Sequence, residues 1–238
     1  MIDRALWIPE GFFEARRDRM NGFRATGLAF GVALLLTALS GVALRLLARQ
    51  MTGTTEIDNP GRPSEMTCEA FHGDTQPSGC DEPATITVEV GELFWETAVE
   101  QLPALFFGVL LLWLFTGVGL HLLAGGHVGE GSFGQTLEVV AWSMLINVLS
   151  VAISAGLLWL ASQQVDLAVS SPGRLLSQMR RVTTTLPGIG ARVVQGLALV
   201  AQVGVWTAGL TVVHRNERAV AAVGSVIVGT VSLALLFI

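Results

Sequence analysis

Long apolar stretches alternate with short polar segments along the chain, and this pattern predicts the fold before any motif does. Five stretches contain no Asp, Glu, Lys or Arg: residues 25–44, 101–120, 139–165, 193–213 and 219–238. Each is close to the roughly 20 residues that an α-helix needs to cross a hydrocarbon core about 30 Å thick. We therefore predict an all-α, polytopic membrane helical bundle with about five transmembrane helices.

The predicted spans and connections form one membrane domain. The spans are residues 25–47, 102–124, 137–161, 193–213 and 219–238. The connections are a cytoplasmic or interfacial segment at 1–24, an acidic extracellular loop at 48–101, a glycine-rich turn at 125–136, and a polar connection with a second interfacial helix at 162–192.

Composition supports a membrane protein over a soluble one. Charged residues make up 14% of the chain, against roughly 25% in soluble domains. The net charge is −5 and there is no basic stripe, which argues against nucleic-acid binding. All 14 basic residues are arginine. An acidic chain without lysine predicts a halophilic archaeal source, with a GC-rich genome as the other explanation.

The first 24 residues combine aromatic side chains with five arginines, which predicts a short interfacial helix before the first span. The alternative is that they are only the flank of that span. Within the span, Gly27 and Gly31 form a G-x-x-x-G pattern, which predicts close packing against another helix.

The extracellular loop carries Cys68 and Cys80, the two cysteines of the chain. A disulfide between them is the preferred interpretation for a loop on an oxidising exterior. A metal site is weaker, because only His72 lies nearby and the spacing fits no zinc pattern. Residues 85–90 alternate like a strand, and Glu89, Glu92, Glu96 and Glu100 then follow helical spacing. This acidic stripe is interpreted as a solvated face, with cation capture as the alternative.

The stretch "HLLAGGHVGEGSFGQTLEVV", residues 121–140, contains a G-x-G-x-x-G spacing and two histidines. A dinucleotide site requires a βαβ unit, and none is predicted here. The histidines lack the partner spacing of a metal site, so we predict no metal, no cofactor and no catalytic residues. Ser132 instead fits a helix cap. The candidate functional turn consists of His121, Gly125, Gly126, Gly131, Ser132 and Phe133.

Polar residues also lie within the predicted spans. Ser143, Asn147, Ser150 and Ser154 follow one stripe of the third span, and Gln195 and Gln202 lie seven residues apart in the fourth. Such residues usually hydrogen-bond to neighbouring helices. A substrate path that uses Asn147, Gln195, Gln202 and the Glu138 edge is the alternative.

Arginine counts do not settle the orientation, because seven would lie on each side of the membrane. The arginine-rich flank before the first span and the acidic, cysteine-bearing loop after it favour a cytoplasmic N-terminus. We therefore predict a multi-pass protein of the cell membrane with an extracellular C-terminus.

Three segments resemble the Yip domain family, the five-span Ypt/Rab-interacting membrane proteins. They are "LWIPEGFFEARRDR", "HLLAGGHVGEGSFGQTLEVVAWSMLINVLS" and "VWTAGLTVVHRNERAVAAV", which occur in the family's order. Together with the composition, the resemblance suggests a prokaryotic, haloarchaeal branch. It implies a non-enzymatic role, which in eukaryotic members includes binding prenylated small GTPases and shaping membranes. The long acidic tail of many of those members has no counterpart in the short N-terminal segment, which argues against GTPase binding.

These features predict a membrane-organising or partner-binding scaffold rather than an enzyme. Its expected partners are the lipid bilayer and other membrane proteins. The alternative is a small transporter or channel that uses the polar residues of spans three and four.

Overall fold

The computed structural model describes residues 10–71, 77–124, 130–164, 177, 180–215 and 217–235, with the side chains of 232–235 excluded. The long helices in these ranges are α1 (Gly22–Ala48), α3 (Val90–Leu123), α4 (Phe133–Ser162), α5 (Leu186–His214) and α6 (Arg218–Leu235). Shorter elements are a 3-10 helix (Arg17–Arg19), α2 (Glu65–Ala70), β1 (Thr54–Asp58) and β2 (Thr85–Glu89). Residues 10–14 and 180–184 are also helical.

Four of these helices, α1, α3, α4 and α5, are long and apolar enough to cross a membrane, and α6 contributes a shorter apolar helix over Arg218–Val231. The prediction of a polytopic, all-α membrane bundle is thereby confirmed. The second predicted interfacial helix lies mostly outside the described residues.

Helix α3 begins at Val90, well before the predicted start of the second span at residue 102. Its 34 residues extend about 50 Å at 1.5 Å each, which is longer than a hydrocarbon core of roughly 30 Å. The first turns, which carry the exposed carboxylates of Glu92, Glu96 and Glu100, therefore stand outside the apolar layer.

Helix α4 is the centre of the bundle. It packs most extensively against α5 and α1, while α6 packs against α5 and α3. The core around α4 includes Val139, Val140 and Ala141, together with Leu120 of α3 and Leu210 of α5. Each of these five side chains is almost completely removed from the surface of the protein.

The glycines of α1 do not face the described part of this bundle. A Cβ atom placed at Gly27 or Gly31 would meet no atom within 4 Å, so neither glycine packs against a described helix of this chain. The small residues buried in the bundle are instead Ala25, Ala29 and Ala33, each fully buried. They repeat every four residues and so line one face of the helix, which allows close packing there.

The segment between α1 and α3 contains a two-stranded sheet and a disulfide. Strands β1 and β2 pair antiparallel in a register that joins Thr54 to Glu89 and Asp58 to Thr85. The sulfur atoms of Cys68 and Cys80 lie 2.11 Å apart, at disulfide distance. The cross-link joins α2 to the segment that precedes β2, so both halves of the loop are tied together.

Gly91 marks a close approach of α3 to the end of α1. A Cβ atom there would lie 2.3 Å from the Ala48 carbonyl oxygen and 3.0 Å from the Met51 carbonyl oxygen. We expect Gly91→Ala to lower the free energy of unfolding by about 1–3 kcal/mol, because both contacts are backbone atoms that cannot rotate away.

The matched control is Gly108→Ala in the same helix, where a Cβ would meet nothing within 4 Å. Removing glycine from a helix interior should there be neutral or stabilise by about 0.5–1 kcal/mol. Thermal unfolding of both variants in detergent, followed by tryptophan fluorescence, measures the difference. Equal melting temperatures would contradict the close approach.

Candidate functional site

The predicted functional turn lies between α3 and α4, at the end of the bundle opposite the disulfide loop. This end is called the inner end below. The described members of the turn are His121, Gly131, Ser132 and Phe133, whereas Gly125 and Gly126 lie outside the described residues. The N-terminal segment, residues 10–21, docks against the same end.

Ser132 starts α4 as the sequence predicted. Its hydroxyl accepts a hydrogen bond from the Gln135 N–H at 3.3 Å, and the Gln135 side chain accepts one from the Ser132 N–H at 2.9 Å. This reciprocal capping box satisfies two N–H groups that have no partner within the helix. Gln135 also donates to the Arg17 carbonyl at 3.1 Å, which joins the cap to the N-terminal segment.

His121, Thr136 and His214 form a buried polar group, the histidine cluster. The Thr136 hydroxyl oxygen lies 3.2 Å from His121 Nδ1 and 2.9 Å from His214 Nε2, so it bridges α3 and α5 from its place on α4. The two imidazole rings lie 5.3 Å apart. Both Thr136 and His214 are at most 1% exposed. A single hydroxyl therefore joins three helices at a point without solvent.

Gly131 explains why the turn contains glycine at this position. A Cβ atom there would lie 2.5 Å from His214 Nδ1 and 2.7 Å from Val213 Cγ1. Because real Cβ atoms do not approach so closely, only glycine lets the turn pack against the end of α5. The G-x-G-x-x-G spacing thus includes a packing position.

The N-terminal segment is held by aromatic packing. Phe12 meets Trp142 of α4 edge to face with ring centroids 5.0 Å apart, and Phe12 meets Phe13 in the same way at 5.2 Å. Phe13 is 2% exposed and lies against Gly209 of α5, where a Cβ would be 3.1 Å from its ring. The segment is therefore part of the folded core rather than a loose flank.

Polar contacts add to this attachment. The Arg17 guanidinium donates to the Val213 carbonyl at 3.3 Å and approaches the Glu130 carboxylate at 3.5 Å. The Asn21 N–H donates to the carboxylate of Glu138 at 2.8 Å. Glu138 is 3% exposed, so the bond supplies a buried charge with a partner that water cannot provide.

The ion pairs on the surface of the inner end contribute less to stability than these buried contacts do. Glu130 pairs with Arg215 at 2.8 Å, but both side chains are more than 60% exposed. Pairs of this kind stabilise by about 0–1 kcal/mol. Arg215 caps α5 in the left-handed region with φ 49°, which turns the chain towards α6.

The polar residues of the spans face one another across helices. Gln202 of α5 donates to the side chain of Asn147 on α4. Trp206 Nε1 donates to the Ser143 hydroxyl at 2.7 Å, and the Ser154 hydroxyl donates to the Ala191 carbonyl at 3.3 Å.

Gln195, the third predicted intramembrane residue, is exposed on α5 and lies away from this pair. Three members of the stripe on α4, Ser143, Asn147 and Ser154, thus bond to α5, whereas the Ser150 hydroxyl donates within α4 to the Asn147 carbonyl.

Sequence reasoning missed the roles of Arg17, Thr136 and His214 at the inner end, and it considered Glu138 only as the edge of a substrate path. Thr136 lies four residues after the cap Ser132 and thus on the same face of α4. That spacing, and a carboxylate at the start of an apolar helix, were the available indications. The partner of Thr136 on α5 lies 78 residues away and follows no spacing rule.

Comparison with known sequences bears on the whole chain. A model of the Yip1 domain matches residues 4–238. The chain belongs to the Yip1 domain family. This is a family of helical, non-enzymatic membrane proteins, in agreement with the bundle described above. No curated protein and no solved structure matches the chain.

In this member of the Yip1 domain family, the match includes the N-terminal segment and the glycine-rich turn. These two parts of the chain are separated by about a hundred residues. The docking of one on the other places them in a single site at the inner end.

The histidine cluster yields a direct test. We expect Thr136→Val to lower the free energy of unfolding by about 1–3 kcal/mol, because it leaves buried imidazole nitrogens without the hydroxyl at nearly constant volume. The control is Thr230→Val, whose exposed hydroxyl bonds only within its own helix and whose loss should change stability by less than about 0.5 kcal/mol. Thermal unfolding in detergent compares the two, and similar losses would show that the bridge is not structural.

Proposed function

We propose that this protein is a non-enzymatic scaffold that binds other membrane proteins or organises lipids. The observation that carries the proposal is that polar side chains within the spans form hydrogen bonds between helices. Asn147, Gln202, Ser143 and Ser154 bond to neighbouring helices instead of facing a common space. A transporter needs polar groups that face its substrate path, whereas a scaffold needs a packed body with recognition surfaces at its ends.

The inner end is proposed as the recognition surface. Aromatic packing and buried hydrogen bonds attach the N-terminal segment to α4 and α5, so its exposed residues form a firm surface. Among them are Glu14, Ala15 and Arg16. A preorganised surface loses less conformational entropy when a partner binds. The geometry does not favour small GTPases over other partners.

We also propose that this end faces the cytoplasm of a prokaryotic cell, with the protein in the cell membrane and the C-terminus outside. The arginines before α1 support this orientation, and the disulfide at the opposite end fits an oxidising exterior. The haloarchaeal source is likewise proposed, from the acidic, lysine-free composition.

Photo-crosslinking in native membranes tests the scaffold. A benzophenone amino acid at Ala15, exposed on the N-terminal segment, is compared with one at Thr87, exposed on β2 at the other end. We expect the Ala15 probe to yield the same protein or lipid adduct in repeated preparations, and the Thr87 probe not to. Adducts identified by mass spectrometry distinguish lipid, a second copy and another protein. Absence of a reproducible adduct at Ala15 would contradict the scaffold.

Cysteine accessibility tests the alternative of a transporter or channel. Ser150 and Ser154 are 6% and 3% exposed, and cysteine replaces serine with little change in shape. In nanodiscs, we expect cysteine at either position to react with a charged maleimide about 100-fold or more slowly than cysteine at Ala15, since a buried thiol reacts only when the structure opens. Comparable rates would reveal water within the bundle and favour the transporter.

A further inference from the structure

His214 contains a buried polar atom without a partner. Its side chain is 1% exposed, and its Nδ1 atom makes no hydrogen bond within the described part of the chain. Its Nε2 atom lies 2.9 Å from the Thr136 hydroxyl. Neutral imidazole suits this arrangement, because Nε2–H can donate to Thr136 while Nδ1 carries no proton.

A protonated His214 does not fit this hydrogen-bonding arrangement. The second N–H would point from Nδ1 towards the backbone of Gly131, which packs directly against that atom. An imidazolium is donor-only at both nitrogens, so the new proton would lack an acceptor. The packed state of the inner end therefore requires neutral His214.

The charged and titratable groups around His214 come from every element at the inner end. His121 on α3 lies with its ring centroid 5.3 Å away. Arg17 of the N-terminal segment donates to the carbonyl of Val213, the residue before His214. Two cationic or protonatable groups thus surround the ring and would repel an added charge.

The nearby carboxylates are engaged elsewhere. Glu130 of the turn pairs with Arg17 and Arg215, and Glu138 of α4 accepts from the Asn21 N–H. Both hold the N-terminal segment or the turn in place. A proton on His214 would therefore add positive charge beside Arg17 without gaining a direct anionic partner among the described residues.

We propose that protonation of His214 releases the N-terminal segment from the inner end, so that the histidine cluster acts as an acid-sensitive latch. Release separates Arg17 from the end of α5 and so removes a positive charge from beside the protonated ring. The released state binds one proton more than the docked state, so acidification favours release by linkage. The latch is independent of the proposed function, because a scaffold and a transporter would carry it alike.

Distance measurement on the full chain in nanodiscs tests the latch. Spin labels are attached at Ala15→Cys on the N-terminal segment and Val220→Cys on α6, both exposed, while the native cysteines remain in their disulfide. The distance distribution is recorded from about pH 8 to about pH 4, a range that extends below the pH at which an exposed histidine titrates. We expect the docked, single-distance population at high pH to be lost on acidification.

His214→Gln supplies the decisive comparison. Its amide nitrogen can bond to Thr136 but does not titrate, so we expect the docked population to persist at low pH. His214→Asn is a second non-titrating amide for use where the first variant unfolds. His72→Gln, at a sequence position between α2 and β2 that lies outside the described residues, is the control and should respond as the parent does.

Three outcomes would overturn the latch. The first is an unchanged distance distribution in the parent across this pH range. The second is a response that survives in a folded His214→Gln or His214→Asn variant. The third is loss of the response in His72→Gln.

Discussion

A polar group within the hydrocarbon layer has no water to bond to, and the architecture of this protein follows from that constraint. The interior of a helix satisfies most of its own backbone groups, but side chains such as Asn147 and Gln202 need each other. Their hydrogen bond joins α4 to α5, and the Trp206–Ser143 bond lies one turn away on each helix. The same constraint explains why α4 is the centre of the bundle, since it carries the polar stripe.

At the inner end, close packing occurs together with hydrogen bonding of the buried polar side chains. Gly131 allows the turn to touch His214, and Thr136 bridges the two histidines. The N-terminal segment then covers this region through Phe13, Arg17 and the Asn21 N–H. Because each contact lies beside another, a change at one of them is expected to disturb the rest.

The two faces of α1 carry similar sequence patterns but have different surroundings. The Gly27–Gly31 side of α1 meets no described part of the chain, although its pattern is the usual mark of a helix interface. Ala25, Ala29 and Ala33 pack inside instead. Small residues at four-residue intervals occur on two sides of this helix, and spacing alone does not distinguish them.

The sequence by itself determined the membrane class, the succession of helices, the Ser132 cap and the use of the α4 stripe. These features depend on hydrophobic length and on contacts within a few residues, which local spacing encodes. Only the tertiary structure decided which face of α1 is buried, that Gln202 is buried while Gln195 is exposed, and that Thr136 meets His214 beside Arg17. Those outcomes depend on how helices far apart in the chain are oriented towards one another, and the periodicity of a single helix carries no information about the partner it will face.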